Sequence, residues 1–295
     1  MNKRAHQLPP TVLALSAVLL WSSFAALSVR LRGVPPLLLA GTALLIGSCV
    51  SLHRVREWRA PWRVVALGAG GLFTYHLALF LALRLAPPVE ANLLNYLWPL
   101  LIVVLTPAFF RDRTLTRRHA AAALLGFAGA ALLVTGGRAA FDSAHLPGYL
   151  LAIAAAFTWA LYSLASSRLG AVSTSLVGLS CALAGALALA AHFAFEPAWM
   201  FAARDLPWLA LLGLGPMGLA FFAWDAALKR GDPRAIGSLS YLTPLLSTAL
   251  LAATGGGRPG AAALGAMGLI VGGAVLGSWP GRRAPGSRQS LNPPR

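Results

Sequence analysis

The chain has 295 residues, of which 58% are hydrophobic and only 11% charged, where an ordinary soluble domain carries roughly a quarter charged residues. That balance, with a mean hydropathy of +0.71, excludes a soluble single domain and points to an all-α polytopic membrane protein. The formal net charge of +16 would suit a nucleic-acid binder only if the basic residues shared one solvated face; they sit instead in short loops between apolar runs, so no nucleic-acid partner is expected.

Breaks at charge, proline and glycine divide the chain into ten apolar segments, each near the roughly 20 residues that a helix needs to cross about 30 Å of hydrocarbon. Segment one, Thr11 to Val29, contains Trp21, Ser22 and Ser23. Lys3 and Arg4 ahead of it imitate a secretory leader, but a later segment copies its pattern, which a cleaved leader has no reason to do. Segment two runs from Pro35 to Leu52. Segment three, Trp62 to Leu83, holds Tyr75 and His76 at membrane depth, with Phe80 one turn on. An intramembrane histidine of this kind marks a functional site or bonds to a neighbouring helix.

Segment four, Ala91 to Phe110, places Asn92, Asn95, Tyr96 and Pro99 at i, i+3, i+4 and i+7, on one helical face. Glu90 follows Pro87 and Pro88 at its start, where a carboxylate suits a helix N-terminus. Segment five, His119 to Thr135, carries Ala120 to Ala123, Gly126 and Gly129 and reads as scaffold. Segment six, Pro147 to Ser166, brings Thr158, Trp159, Tyr162 and Ser163, and segment seven runs from Val172 to Ala194. Segment eight, Leu206 to Ala227, contains Asp225 four residues before Lys229; an i, i+4 ion pair is the economical reading, a proton carrier the alternative. Segment nine, Ala235 to Ala253, repeats the face of segment four with Gly237, Ser240, Tyr241 and Pro244. Segment ten, Gly260 to Ser278, spaces Gly268, Gly272, Gly273 and Gly277 for close helix approach. Cys49 and Cys181 lie inside apolar segments, which leaves neither a disulfide framework nor a CxxC metal or redox site.

Ten crossings put both ends of the chain on one side. Eighteen of the 24 lysines and arginines fall on that side, and only Arg30, Arg32, Arg84, Arg138, Arg204 and Arg258 on the other. The positive-inside rule then assigns both termini to the cytoplasm. Trp58, Trp62, Trp199, Trp208 and Trp279 sit at segment ends, as an interfacial belt would have them; Trp21, Trp98 and Trp159 do not.

The second half copies the first at an offset of about 140 residues. Trp21 precedes Arg30 and Leu31 as Trp159 precedes Arg168 and Leu169, and Tyr96-Leu97-Trp98-Pro99-Leu100-Leu101 returns as Tyr241-Leu242-Thr243-Pro244-Leu245-Leu246. Each half has an odd number of segments, so the two enter the membrane in opposite directions. The expected organisation is therefore two inverted five-helix repeats, residues 1–140 and 141–280, with a disordered cytoplasmic tail at 281–295. Inverted repeats place a substrate site near the midplane between the halves and work by alternating access. A channel would need more polar positions to line its lumen than these segments offer.

A lipid-facing stripe would not carry paired asparagines and tyrosine hydroxyls, since unsatisfied polar groups in hydrocarbon cost several kcal/mol; the faces of segments four and nine therefore point inward. Pro99 and Pro244 each remove a backbone hydrogen bond and read as mirror-related gates, or as packing kinks. At about 1.5 Å per residue, Trp21 and Trp159 lie roughly 15–18 Å from their entry points, near the bilayer centre. Rings there, interleaved with hydroxyls and amides, describe either a cavity for an amphipathic ligand or a packed core. No GxxxxGK[ST] loop occurs, so transport would run on gradients, as facilitated export or as proton exchange through His76. No cofactor or metal is expected. A rival intramembrane enzyme would need paired carboxylates or a histidine cluster at membrane depth, and the histidines are scattered. With both halves fused, a monomer is expected.

Ten segments in two inverted halves, a tryptophan in the first segment of each half and YLxPLL in the fourth resemble the EamA-type branch of the drug/metabolite transporter superfamily over Thr11 to Ser278. Tyr75-His76 with Asn95-Tyr96-Leu97-Trp98-Pro99 and Trp159 more narrowly resemble aromatic amino acid exporters of the YddG type. The resemblance implies export of phenylalanine, tyrosine, tryptophan and further amino acids across a bacterial inner membrane. It implies a central cavity lined by Tyr75, His76, Tyr96, Trp98, Trp159 and Trp21, to which the facing residues Asn95, Tyr162 and Tyr241 are added. Another small amphipathic metabolite or drug is the alternative cargo. Thr243, where the first half has Trp98, departs from symmetry and biases the expected contacts toward the first half.

Overall fold

The protein is described by a computed structural model covering residues 8–253 and 261–278. Lys3, Arg4, Arg258, Trp279 and the tail expected at 281–295 lie outside the described residues. Among the described residues every regular element is helical. In chain order they are α1 (Pro10–Ser22), α2 (Phe24–Arg30), α3 (Pro36–Ser48) running on as a 3-10 helix (Cys49–Trp58), α4 (Trp62–Leu85), α5 (Pro88–Asn95), α6 (Leu97–Phe109), α7 (Arg117–Thr135), α8 (Leu146–Ser167), α9 (Leu176–Phe195), α10 (Leu206–Leu214), a π-helical turn (Gly215–Leu219), α11 (Ala220–Arg230), α12 (Pro233–Leu239), α13 (Leu242–Ala253) and α14 (Ala261–Ser278).

Among the described residues, eight helical stretches, of 19 to 28 residues, are long and apolar enough to cross a membrane, from Pro10–Arg30 through Ala203–Arg230. They correspond to the first eight apolar segments. The last two segments appear as α12 with α13, divided at Ser240 and Tyr241, and as α14.

The helix ends follow local chemistry. Pro10, Pro36, Pro88 and Pro233 open first turns, where a missing N–H costs nothing. Thr116 caps α7 by accepting from the His119 N–H at 3.3 Å, and Gly136 ends that helix at φ +59°, a conformation suited to glycine. Glu196, past the end of α9, accepts from the Leu37 and Leu38 N–H groups of α3 at 3.1 and 3.2 Å. It also pairs with Arg84 of α4 and with His192, each at 3.0 Å, so one buried carboxylate at a helix N-terminus ties three helices together.

Helix α7 lies along α14, α3 along α9, α4 along α8 and α1 along α11, while α6 touches α8 and α1 touches α13. Small residues set these distances. A Cβ added at Gly47 of α3 would stand 2.5 Å from the Met217 carbonyl oxygen and 2.9 Å from the Gly218 Cα. Gly47→Ala is expected to cost about 1–3 kcal/mol, because backbone rather than a flexible side chain would have to yield. Gly70→Ala, whose Cβ meets nothing within 4 Å, is the control, and thermal unfolding in detergent reads the difference.

The loop at Asp232 joins two surface turns. Asp232 caps α12 through the Arg234 N–H at 2.9 Å, pairs with the Arg234 guanidinium at 2.6 Å and lies 3.7 Å from Arg113; Arg113 donates to the Gly231 carbonyl and Arg234 to that of Thr114. Burial alone would raise the Asp232 pKa, but the Arg234 hydrogen bonds and the two positive charges outweigh it and hold the carboxyl below its ordinary range. A carboxyl depressed in the folded state stabilises above its unfolded pKa of about 4 and loses that contribution as pH falls through the folded value. Thermal stability of Asp232→Asn is therefore expected to fall less than that of the unaltered chain between pH 5 and pH 3, in steps of about one unit.

Candidate functional site

Breaks in the helices set up the site. At the end of α1, the Ser22 and Ser23 hydroxyls donate back to the Leu19 and Leu20 carbonyls at 2.6 and 2.7 Å, the kind of bond that bends a helix, and α2 starts afresh at Phe24. Trp21 sits at that bend and donates its indole N–H to the Pro216 carbonyl at 3.2 Å. That carbonyl lies in the π-helical turn between α10 and α11, a rare geometry that recurs at functional sites. On the fourth segment α5 stops and α6 begins at Tyr96. The three breaks bring Trp21, Pro216, Met217, Asn95, Tyr96 and Trp98 to one cavity.

The cavity has a volume of about 430 Å³, within the roughly 300–1,000 Å³ of small-molecule sites. One end is closed by packed rings. Trp21 lies 6.1 Å from Trp98, 5.8 Å from Trp159 and 5.2 Å from Trp224, centroid to centroid, and Phe221 fills the gap at 5.5 Å from Trp159. Tyr75 leans on Trp159 at 5.0 Å and on His76 at the same distance. From these rings the lining continues through Phe24, Leu83, Asn92, Val134 and Thr248, toward the face where α2, α4 and α7 end and α5 begins.

The polar side chains of the lining, Tyr75, His76, Asn92, Asn95, Tyr96, Thr243, Ser247 and Thr248, are of uncharged types apart from the histidine. His76 Nδ1 is 2.7 Å from the Leu72 carbonyl; a carbonyl only accepts, so Nδ1 carries the proton and Nε2 is left as the ring's other polar atom. Asn95 is buried, yet its Oδ1 has no hydrogen-bond partner among the described residues, and neither has the Thr243 Oγ1 across the cavity. Among the described residues, no Asp, Glu, Lys or Arg belongs to the lining.

Beneath the ring cluster the chain is pinned by a buried charge pair. Lys229 meets Asp225 at 2.8 Å, and Asp225 also accepts from the Ser166 and Thr174 hydroxyls at 2.8 and 2.7 Å. Lys229 donates to the Val172 carbonyl at 3.0 Å, and Trp224, next to Asp225, donates to Ser163 at 3.1 Å. Helix α11 is thereby fastened to the end of α8 and the turn after it.

The model of the EamA-like transporter family matches residues 9–135 and again 146–279. The chain belongs to the EamA-like transporter family. A protein of Ancylobacter novellus named aromatic amino acid exporter YddG is 43% identical over 286 residues, spanning 92% of this chain and 98% of that protein. A protein of the same name from Salmonella typhimurium is 27% identical over 264 residues, 82% of this chain and 87% of that protein. A solved crystal structure aligns with a TM-score of 0.86 at 40% identity, covering 91% of this chain and 97% of that one. This EamA-family protein is thus a multi-pass membrane transporter.

Of the residues singled out in the sequence, Trp21, Tyr75, His76, Asn95, Tyr96, Trp98 and Trp159 line the cavity, and so does Pro244. Tyr162, Tyr241 and Pro99 do not. Tyr162 packs behind Trp159 at 5.6 Å and borders the small space beside Asp225 and Lys229. Tyr241 is fully buried against Gly126. Asp225 forms the expected pair with Lys229, whereas Glu90, beyond its place in the first turn of α5, accepts from the Ala140 N–H at 3.3 Å. Arg30 lies over the Trp208 ring at 5.2 Å. Sequence reasoning missed Phe221, Pro216, Met217, Ser247 and Thr248 in the lining and Trp224 in the ring cluster. Trp224, three residues before the end of segment eight, carried no distinguishing signal, whereas Gly215-Pro216 could have been found as a helix-breaking pair inside an apolar run.

Proposed function

We propose that this transporter exports amino acids, with aromatic side chains preferred, across a bacterial inner membrane by alternating access. The carrying observation is the buried Asn95 amide, bonded to the Tyr75 side chain but with its Oδ1 unpartnered among the described residues, beside a wall of indole and phenol rings. A buried acceptor without a donor is costly; an α-ammonium group supplies the donor, while the rings take a flat apolar side chain edge-on or stacked. The names of the relatives support the same cargo.

Ten crossings in two inverted halves, residues 1–140 and 141–280, account best for the packing. Exchanging segment one with six and three with eight turns the α4–α8 contact into α11–α1, and exchanging four with nine turns α6–α8 into α13–α1. The pairs α3–α9 and α7–α14 map onto themselves. With the termini in the cytoplasm, the cavity extends to the outer face and the Trp cluster shuts the inner one. With both halves fused in one chain, a monomer is the working unit of this reading. Without acids in the lining, export runs down the substrate gradient, and proton exchange through His76 is the competing scheme.

Counterflow tests the reading. Proteoliposomes preloaded with unlabelled phenylalanine should take up labelled phenylalanine well above protein-free vesicles. No uptake of phenylalanine, tyrosine or tryptophan would sink it, and competition by an unrelated amphipathic amine alone would favour a drug-like cargo. Flux driven by an imposed pH gradient and lost in His76→Ala would replace facilitated export by proton exchange.

A further inference from the structure

The break between α5 and α6 contains a side chain from the other half of the chain. In an unbroken helix the Leu100 N–H would donate to the Tyr96 carbonyl, four residues back. It donates instead to the Tyr241 hydroxyl at 3.1 Å, and that hydroxyl donates onward to the Tyr96 carbonyl at 3.3 Å. A phenol is thus spliced into the ladder, one of the few recognised causes of a sharp kink. Pro99, with no N–H, leaves the Asn95 carbonyl without its helical donor in the same turn. Tyr241 is held in place by a made-to-measure recess: a Cβ at Gly126 would stand 2.3 Å from its ring.

Tyr241 and Tyr96 occupy the same place in the repeated motif, Tyr241-Leu242-Thr243-Pro244 and Tyr96-Leu97-Trp98-Pro99. The helix of the second half also breaks there, α12 ending at Leu239 and α13 starting at Leu242. Their surroundings differ: Tyr241 is fully buried, whereas Tyr96 lines the cavity.

We propose that Tyr241 is a positioning residue that holds the α5–α6 break open, turning Asn95, Tyr96 and Trp98 to the cavity. We propose further that in the opposite-facing conformation Tyr96 takes the matching place between the Tyr241 carbonyl and the Leu245 N–H while Tyr241 withdraws. The second part rests on the inverted-repeat reading above. Each conformation then carries one inserted hydroxyl, and removing either hydroxyl favours the other conformation.

The test is a thiol reporter at the closed end. Ser163→Cys, buried beneath the ring cluster, is placed in a chain carrying Cys49→Ser and Cys181→Ser, and its labelling by a hydrophilic maleimide is timed. Tyr241→Phe should speed labelling roughly fivefold, the factor one net hydrogen bond carries, and Tyr96→Phe should slow it by about as much. A Tyr96→Phe/Tyr241→Phe chain should return toward the starting rate. Shifts in the same direction, or none, overturn the proposal; a shift with Tyr241→Phe alone overturns the exchange. If Tyr241→Phe fails to fold, Tyr96→Phe decides by itself. The readout needs no substrate, so failure of aromatic counterflow leaves it intact.

Discussion

Replacing Trp159 with alanine is expected to lower phenylalanine counterflow at least about tenfold and to cost roughly 3–5 kcal/mol of stability, the range for truncating a buried aromatic. Trp159 is the hub of the site, with Trp21, Trp98, Tyr75, Tyr162 and Phe221 all between 5.0 and 6.2 Å of its ring. Edge and tilted ring pairs are each worth about 0.5–1.5 kcal/mol beyond simple burial. Their loss is shared by the free protein and by the bound state, whereas the missing wall against a flat side chain is felt only on binding. Trp159→Phe should therefore recover most of the stability and part of the flux. Counterflow in Trp159→Ala equal to that of the unaltered chain, at matched protein incorporation, would remove the ring from the binding site.

Asp225→Asn is expected to be the most destabilising single polar change, by about 3–5 kcal/mol, because it strands the buried Lys229 ammonium. The Lys229 side chain is only 8% exposed and that of Asp225 4%, so water cannot take the carboxylate's place. Removing both charges, as in Asp225→Asn with Lys229→Met, should restore much of the loss, since an apolar replacement of a buried pair is often neutral. Thermal unfolding in detergent reads both steps. A single variant as stable as the parent would mean that the pair is solvated and the turn after α8 is not held by it.

Much of the site was legible from residue type and depth. Trp21, Trp159, Tyr75 and His76 stand at membrane depth in apolar runs, and Asn95 with Tyr96 shares a helical face, so depth, periodicity and the resemblance to YddG-type exporters together selected them. Tyr241 was drawn to the cavity by the same periodicity, because its motif copies that of Tyr96. What periodicity does not carry is which of two equivalent faces is turned inward in a given conformation, and the recess at Gly126 decides that for Tyr241. Phe221 and Trp224 were hidden among many apolar neighbours in segment eight. The π-helical turn that aims them depends on a backbone register shift, to which hydrophobic patterning is blind.

The helices were equally legible in position, their interruptions only in part. The bends at Ser22 and Ser23 follow from hydroxyls bonding backwards, which the residue types allow without requiring. At Tyr96, Pro99 announces a weakened turn locally, but the hydroxyl that sits in the gap comes from 145 residues away, which no local rule supplies.

A lining without carboxylate, lysine or arginine among the described residues has an electrical consequence. Two buried carboxylates are paired away from the cavity, Asp225 with Lys229 and Glu196 with Arg84, while Glu90 is held by the Ala140 N–H outside the lining. If the rearrangement between conformations moves no unpaired charge through the field, a zwitterion crosses with no electrical work. Each net charge on the cargo would instead add about 2.3 kcal/mol per 100 mV of membrane potential. Export of a neutral amino acid by this chain should therefore run at the same rate in energised and in depolarised vesicles.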